Sequence, residues 1–440
     1  MSSIIQQELS ARGVAQVLVF LRGAESGAAA TAGAAAFAAT GAAPARGSSS
    51  AGDLARHFRS SELSQASELG LAAGEGRALR AAVRSGVAKA GAGRGEVPQV
   101  RVYPRLGIML GTASKEGIAA LRADARVAKV TGAPTFSLIR PAAKAAAKLA
   151  AKTTWGIEAM KVPELWKNEG LRGEGVLVGH LDTGVDGAHP ALRTAIAGFA
   201  EFDDLGREVT PAPKPFDTDD HGTHTAATIA GRAVSGRHVG VAPEAKLASA
   251  VVIEGGDVVA RVLGGMDWSL GQGVRVLSMS LGFRGWWDDF VMLTRILRAN
   301  RVLPVFAVGN EGPGTSRSPG NYVDALSVGA HDDASAVADF SSSQRFKRKK
   351  AAIVPDLVAP GVDVISAAPG GGWQSMDGTS MATPHVAGLA ALLIQAEPTR
   401  SVAEVERAIF QSCKRPSGMP QQRGNRGIPD AVQALRVLRS

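Results

Sequence analysis

Gly378-Thr379-Ser380-Met381-Ala382-Thr383-Pro384-His385 runs directly into Val386-Ala387-Gly388-Leu389-Ala390-Ala391-Leu392-Leu393-Ile394. The apolar run is long enough for a buried helix. Ser380 then falls in that helix's first turn, where backbone N–H groups are unpaired and the dipole favours developing negative charge. Pro384 is tolerated near a helix start, because its missing N–H costs little there. A serine so placed is equipped to attack a carbonyl and to hold the oxyanion that results. Its free hydroxyl is a poor nucleophile at neutral pH, so the chemistry demands a base.

His221 is the candidate base. It opens His221-Gly222-Thr223-His224-Thr225-Ala226-Ala227, with Asp217, Asp219 and Asp220 before it. The small residues from Ala226 to Gly231 suit a helix packed closely on a sheet. An imidazole in this role needs a carboxylate to fix its tautomer and stabilise its charged form. Asp182 ends the apolar run Val176-Leu177-Val178-Gly179-His180-Leu181 and precedes Thr183-Gly184. That is the C-terminal edge of a buried strand, where open α/β sheets put their ligands. Alone, a serine at a helix start is usually a cap, and a polar residue after a strand is usually a turn residue. Asp182, His221 and Ser380 in this order, each at a strand end or helix start, carry more.

Asp182-Thr183-Gly184-Val185-Asp186, His221-Gly222-Thr223-His224 and Gly378 to His385 each resemble one signature block of the subtilisin-like serine peptidases, and the resemblance covers about residues 155–440. It implies an α/β fold: a subtilisin-like doubly wound, mostly parallel sheet with helices on both faces. It also implies a serine endopeptidase that works through an acyl-enzyme. Ser380 would attack, His221 would take the proton and return it to the leaving amine, and Asp182 would orient His221. Within Leu303-Pro304-Val305-Phe306-Ala307-Val308-Gly309-Asn310-Glu311-Gly312, Asn310 matches the family's oxyanion-hole asparagine. Val276-Leu277-Ser278-Met279-Ser280-Leu281-Gly282 matches a segment whose end is a strand edge that pairs with the substrate backbone. Ser280, Leu281 and Gly282 are therefore expected at the substrate, with Gly255 and Gly256 as the opposite rim. No cofactor and no catalytic metal are implied. His189, His224 and His385 lie inside family blocks without assigned chemistry and read as structural. His180 shares a strand face with Asp182 at a position usually apolar in the family. A structural role is favoured there over a pH-tuning one.

Composition bounds the rest. The chain has 440 residues, 45% of them hydrophobic, enough for one large domain and a smaller one. A net charge of +9 attracts anionic partners non-specifically. The basic run Arg345-Phe346-Lys347-Arg348-Lys349-Lys350 lies between two family-like segments and reads as an exposed loop insertion rather than a nucleic-acid site. Cys413 is the only cysteine, which excludes an intrachain disulfide and a zinc site of cysteines. No uninterrupted apolar stretch reaches membrane-spanning length. The opening Met1-Ser2-Ser3-Ile4-Ile5-Gln6-Gln7-Glu8 lacks a secretory pattern, so a cytoplasmic location is the default expectation, with export by another route left open; a monomer is expected.

Upstream, strand-like segments at 14–22, 101–112 and 126–130 and a short amphipathic helix from Lys115 to Ala125 suggest a small α+β domain over 1–140. Helix-like patterning at 53–91 supplies its other helix, and a low-complexity Ala/Gly/Ser-rich stretch at 24–52 interrupts it. Leu121 to Val130 resembles the end of the family's inhibitory prodomains. Residues 141–152 read as an Ala/Lys-rich linker and 153–440 as the peptidase domain. The chain is thus expected as a self-inhibited precursor, with its own N-terminal region as inhibitor and a peptide or protein as substrate. Two other readings stay open: a non-catalytic peptide-binding protein with a peptidase fold, and a processing peptidase dedicated to one partner.

The resemblance also marks a difference. Ala191 stands where the family has a calcium-binding aspartate, and Val234 where it has a carboxamide ligand. Calcium needs several oxygen ligands, so losing two donors disables that site. Calcium is therefore expected to leave the melting temperature unchanged through this site. A calcium-dependent rise in Tm, lost on mutating ligands around 191 and 234, contradicts the expectation.

Overall fold

The computed structural model describes residues 3–26, 54–55, 57–58, 100–253 and 255–440. The segments at 27–52 and 59–91, including most of the low-complexity stretch and of the helix-like patterning, lie outside them. The described chain forms two compact units. One comprises Met1–Thr135, Asp203–Val209 and Gly255–Asp267; the other comprises Phe136–Phe202, Thr210–Glu254 and Trp268–Ser440.

The first unit is built on a four-stranded antiparallel sheet. Helix α1 (Ser3–Arg12) precedes strand β1 (Val14–Leu21), and β2 (Val100–Tyr103), β3 (Ile108–Ser114), α2 (Lys115–Ala123) and β4 (Val127–Gly132) follow. The sheet order is β2-β3-β1-β4. The alternation across 101–112 is two strands rather than one, because Pro104 and the left-handed Gly107 (φ 61°) turn the chain between them. Ser114 caps α2 by accepting from Gly117 N–H at 3.2 Å. Ile118 and Leu121 of α2 join Val17, Val19 and Met109 in the core beneath.

The second unit holds short strands β5 (Ser137–Leu138) and β6 (Ala143–Ala147), then helices α3 (Trp155–Ala159) and α4 (Val162–Asn168). The sequence then alternates through β7 (Leu177–Asp182), β8 (Ile196–Glu201), α5 (His221–Ala230), β9 (Lys246–Val251), α6 (Val258–Gln272, which belongs to the first unit as far as Asp267), β10 (Val276–Met279) and β11 (Leu281–Arg284). After α7 (Val291–Ala299) come β12 (Leu303–Ala307), β13 (Arg317–Ser318) and β14 (Leu326–His331). The hairpin β15 (Gln344–Arg345) and β16 (Ile353–Val354) leads to β17 (Leu357–Pro360), β18 (Val364–Ala368) and β19 (Gly372–Asp377). Helices α8 (Thr379–Ala396), α9 (Val402–Ser412), α10 (Gln421–Gly424) and α11 (Ala431–Arg439) close the chain.

Seven strands form one sheet in the order β17-β14-β12-β10-β7-β9-β8, and every pairing in it is parallel. This is the doubly wound α/β sheet expected from the alternation. Its strands are buried almost throughout, as in a sheet covered by helices. Helix α8 is buried along its apolar run and packs on β10, β12, β14 and β17. Two of the seven strands were not marked by periodicity: β8 has Gly198 in its middle, and β17 is four residues long and ends in Pro360.

The division between units falls at Thr135/Phe136 rather than at 140/141, and the expected linker contains β6. The cause is backbone pairing: β5 adds to β11, and β6 adds to β19. The basic run is carried on the turn of the β15–β16 hairpin, in agreement with an exposed insertion.

Candidate active site

The site assembles where β7, α5 and α8 meet. Asp182 is the last residue of β7, in parallel register with Val251 of β9. The chain turns at once through Thr183 and Gly184, which takes a left-handed φ of 119°. Thr183 N–H donates to Asp182 Oδ1 at 2.7 Å, and Thr183 Oγ1 donates to Asp217 Oδ1 at 2.6 Å. Thr183 Oγ1 also accepts from Gly222 N–H at 2.9 Å, while Thr223 donates twice to Asp217 Oδ2, both at 2.6 Å. Asp217 therefore fastens the first turn of α5 to the end of β7. Gly222 lies against Gly184, with no room for a Cβ.

That fastening brings His221 Nδ1 to 2.6 Å from Asp182 Oδ1. Both side chains are 1% exposed. Burial alone would push the His221 pKa down, but the charge of Asp182, the hydrogen bond to it and the nearby Asp217 and Asp219 outweigh burial and hold it above the ordinary value. Asp182 is held below the usual carboxylate range despite burial, which opposes ionisation, by the His221 charge and hydrogen bond.

Ser380 is the second residue of α8 and fully buried. Its Oγ donates to the carbonyl of Ile139 at 2.7 Å. His221 Nε2 is buried and, among the described residues, has no hydrogen-bond partner. Pro384 stands inside α8, past its first turn. Lacking an N–H, it leaves the Ser380 carbonyl without its helical donor, and Ser280 Oγ donates to that oxygen instead at 3.3 Å. Asn310 follows β12. Its Oδ1 accepts from both Thr379 N–H (2.9 Å) and Thr379 Oγ1 (2.8 Å), which aims Nδ2 outward. Nδ2 donates to the carbonyl of Arg140 at 2.9 Å.

The segment in the cleft is therefore the chain's own. Gly282 pairs antiparallel with Ser137 and Leu281 with Leu138, and Ile139 N–H donates to Ser280 O at 3.1 Å. Phe136 enters an aromatic cluster with Phe283 (5.1 Å between ring centroids) and Phe290 (5.9 Å). Beyond Pro141, Ala142 N–H donates to Asp377 O at 2.7 Å, and β6 continues the pairing along β19. Ser280, Leu281 and Gly282 thus meet an extended backbone, that of residues 137–139 of the same chain. Gly255 and Gly256 adopt left-handed turns (φ 86° and 62°) whose neighbours are Asp204 and Arg261. Among the described residues, no group of three or more His, Cys, Asp or Glu side chains could hold a metal ion.

The remaining histidines are held by hydrogen bonds. His224 Nε2 bonds Val364 O at 2.9 Å, His385 Nδ1 bonds Met381 O at 2.8 Å, and His189 Nε2 bonds Gly372 O at 3.0 Å. Burial pushes His224 down to about 3 and His385 down to about 4. His180 sits directly behind the Asp–His pair, with Nδ1 at 2.9 Å from Ser249 Oγ and Nε2 at 2.8 Å from Thr225 Oγ1. Thr225 Oγ1 lies 3.2 Å from Asp182 Oδ2. Burial lowers the His180 pKa, so the ring is neutral. If Thr225 gives its one proton to Asp182 Oδ2, it must accept from His180 Nε2–H, and His180 Nδ1 must accept from Ser249. Sequence reading flagged His180 but missed Thr225 and Ser249, because isolated hydroxyls on apolar elements carry no motif.

The comparisons with known proteins agree with this geometry. Residues 173–430 match the model of the Subtilase family, peptidase S8. The chain is 38% identical over 274 residues to the M-protease of Shouchella clausii (strain KSM-K16), covering 62% of this chain and 67% of that protein. It is 39% identical over 253 residues to an intracellular serine protease of Paenibacillus polymyxa, covering 54% and 72%. It is 38% identical over 253 residues to Subtilisin Savinase of Lederbergia lenta, covering 57% and 87%. The chain belongs to the subtilase family. It is a subtilisin-like serine endopeptidase. Among the described residues, no helix is long and apolar enough to cross a membrane.

Thr225→Val removes the hydroxyl that lies 3.2 Å from Asp182 Oδ2 and 3.1 Å from the His221 carbonyl and strands His180 Nε2, while keeping the side-chain shape. Leaving such buried groups unsatisfied costs about 1–3 kcal/mol. The variant is expected to melt at lower temperature by a corresponding amount. An unchanged Tm contradicts this network.

Proposed function

We propose that Ser380, His221 and Asp182 perform the peptidase reaction and that the chain is made as a precursor inhibited by its own segment Phe136–Pro141. Ser380 Oγ attacks the substrate carbonyl while His221 Nε2 takes its proton. The imidazolium is stabilised by Asp182 and then protonates the leaving amine. Asn310 Nδ2 and the Ser380 N–H hold the oxyanion, which forms at the positive end of α8. Water, activated by His221, then hydrolyses the acyl-enzyme. No step uses a metal or an organic cofactor.

One observation carries the self-inhibition. Ser380 Oγ bonds the carbonyl of Ile139, whereas Asn310 Nδ2 bonds that of Arg140. Hydrolysis needs nucleophile and oxyanion donor on the same carbonyl. Here they are spent on consecutive ones, the serine hydroxyl is given to the Ile139 carbonyl rather than to His221, and the next bond, Arg140–Pro141, is a tertiary amide. The segment fills the substrate strand position without offering a bond in register. A cut between about 135 and 152 would free the cleft. A cytoplasmic monomer is part of the same proposal; it is supported by a similar protease named as intracellular and by a fold with a single cysteine.

Ser380→Ala removes the nucleophile and little volume. The full-length variant is expected to fold, to lose peptide hydrolysis, and to persist uncut, while the parent chain is cut within 135–152 by the Ser380 of a second molecule, as read by mass spectrometry. An uncut parent chain that hydrolyses peptides at full rate sinks the precursor proposal; undiminished proteolysis by the variant sinks the serine assignment.

The pH dependence follows from the base. His221 must be neutral to accept a proton, and its folded pKa lies above the ordinary 6.5. Activity therefore falls as pH drops through that raised value, and the acid limb of kcat/KM is expected above pH 6.5. Asp182→Asn removes the charge that holds the pKa up, leaves burial to lower it, and costs about 10⁴-fold in kcat. A parent limb below 6.5 contradicts the assignment.

A further inference from the structure

We propose that the cleft prefers polypeptides carrying acidic side chains upstream of the cleaved bond, read by a cationic track that runs from Arg317 past Arg284 to the β15–β16 hairpin. The inference rests on the proposal that Phe136–Arg140 occupies the place of a substrate.

Register sets the direction. With Gly282 opposite Ser137 and Leu281 opposite Leu138, residues earlier in an occupant meet later residues of β11. A longer extended substrate in this register would set the position two before that of Ser137 opposite Arg284, and the position four before it opposite Trp286.

The charges lie along that path. At the position of Ser137, Arg317 Nη1 donates to Ser137 Oγ at 2.8 Å and to Gly282 O at 3.3 Å. Arg317 is only 7% exposed, and its Nε donates to Glu311 Oε1 at 2.8 Å. The same carboxylate oxygen faces Arg284 Nε at 3.7 Å. One carboxylate between two guanidiniums leaves a net positive charge beside the occupant's side chain. The Arg284 side chain is 78% exposed.

Past Arg284, Trp286 anchors the insertion. Arg348 stacks on Trp286 at 5.0 Å and on Phe346 at 4.4 Å, and the two rings lie 5.3 Å apart. Arg348 Nη2 also donates to Asn321 O at 2.9 Å. The hairpin is therefore held next to the continuation of the substrate strand by stacking, with Arg345, Lys347, Lys349 and Lys350 exposed on it. Segments 281–290, 311–317 and 344–350 together carry seven cations against Asp288, Asp289 and Glu311. An excess of one sign along a groove raises the local concentration of oppositely charged substrate and its association rate.

The test uses the full-length chain, incubated until its rate on a neutral peptide is constant. Two peptides share one cleaved core and carry either Glu or Gln at the third, fifth, sixth and seventh positions before the cut. The Glu peptide is expected to show kcat/KM about ten-fold higher at low ionic strength, an advantage that shrinks as salt shortens the screening length to a few ångströms. The combined Lys347→Gln, Lys349→Gln, Lys350→Gln variant changes exposed tips only. It is expected to reduce most of that advantage while leaving the Gln peptide's rate as it was. Equal rates on the two peptides, or a full advantage kept in the variant, overturns the inference and leaves the peptidase assignment intact. Absence of Ser380-dependent cleavage of either peptide overturns the underlying proposal instead.

Discussion

A carboxylate that is 1% exposed keeps its charge only if its oxygens are met by donors, because the desolvation cost otherwise neutralises it. Asp182 is that carboxylate, and meeting its oxygens organises three elements at once. Oδ1 is met by the turn that follows β7 and by His221 at the start of α5; Oδ2 is met by Thr225 one turn further along the same helix. For α5 to come this close, the turn residue Gly184 must go left-handed and Gly222 must carry no side chain. His180 and Ser249 extend the arrangement to β9 behind it. One buried charge thus ties the ends of two neighbouring parallel strands to one helix.

The second constraint is the unpaired sheet edge. β11 and β19 each present backbone groups that invite another strand. Here β5 pairs with one and β6 with the other, so the chain between them is drawn taut past Ser380. Lys144 bonds Asp220 at 2.6 Å, and Arg140 lies 3.5 Å from Asp219, just upstream of His221. The register set by these two ladders decides which carbonyls reach the serine and the asparagine. The split between Ile139 and Arg140 is therefore a property of the ladders rather than of Ser380 itself.

The sequence was most legible where chemistry imposes a local pattern. An acid at a strand end, a histidine opening a small-residue helix and a serine before a long apolar run are each visible without neighbours, and the parallel alternation follows from five of the seven strands. What was hidden depends on long-range pairing. Residues 143–147, AKAAA, have no strand signature, and they become a strand only because β19 supplies a partner edge. The boundary expected at 140 moved to 135 for the same reason. Thr225 and Ser249 were invisible because their importance comes from standing between His180 and Asp182 in space. Pro384 read as a helix-start residue, yet it lies deeper, where a serine hydroxyl from another segment replaces the hydrogen bond it removes.

The two ladders also differ in strength, and that shapes what a cut would leave behind. β5 contributes two paired residues and the Phe136 ring contacts, whereas β6 contributes five paired residues and the Lys144 ion pair. While the chain is intact, each ladder raises the effective concentration of the other, so modest contacts suffice to fill the cleft. Once a bond between them breaks, that mutual reinforcement ends. The upstream side keeps its short ladder and the aromatic cluster, and the antiparallel sheet before it stays bonded to Asp257 and α6 through Arg101–Asp257 (2.9 Å), Tyr103 Oη–Ala260 O (3.0 Å) and Arg105–Asp267 (3.1 Å). The downstream side stays covalently joined to the sheet that carries Ser380 and keeps the longer ladder.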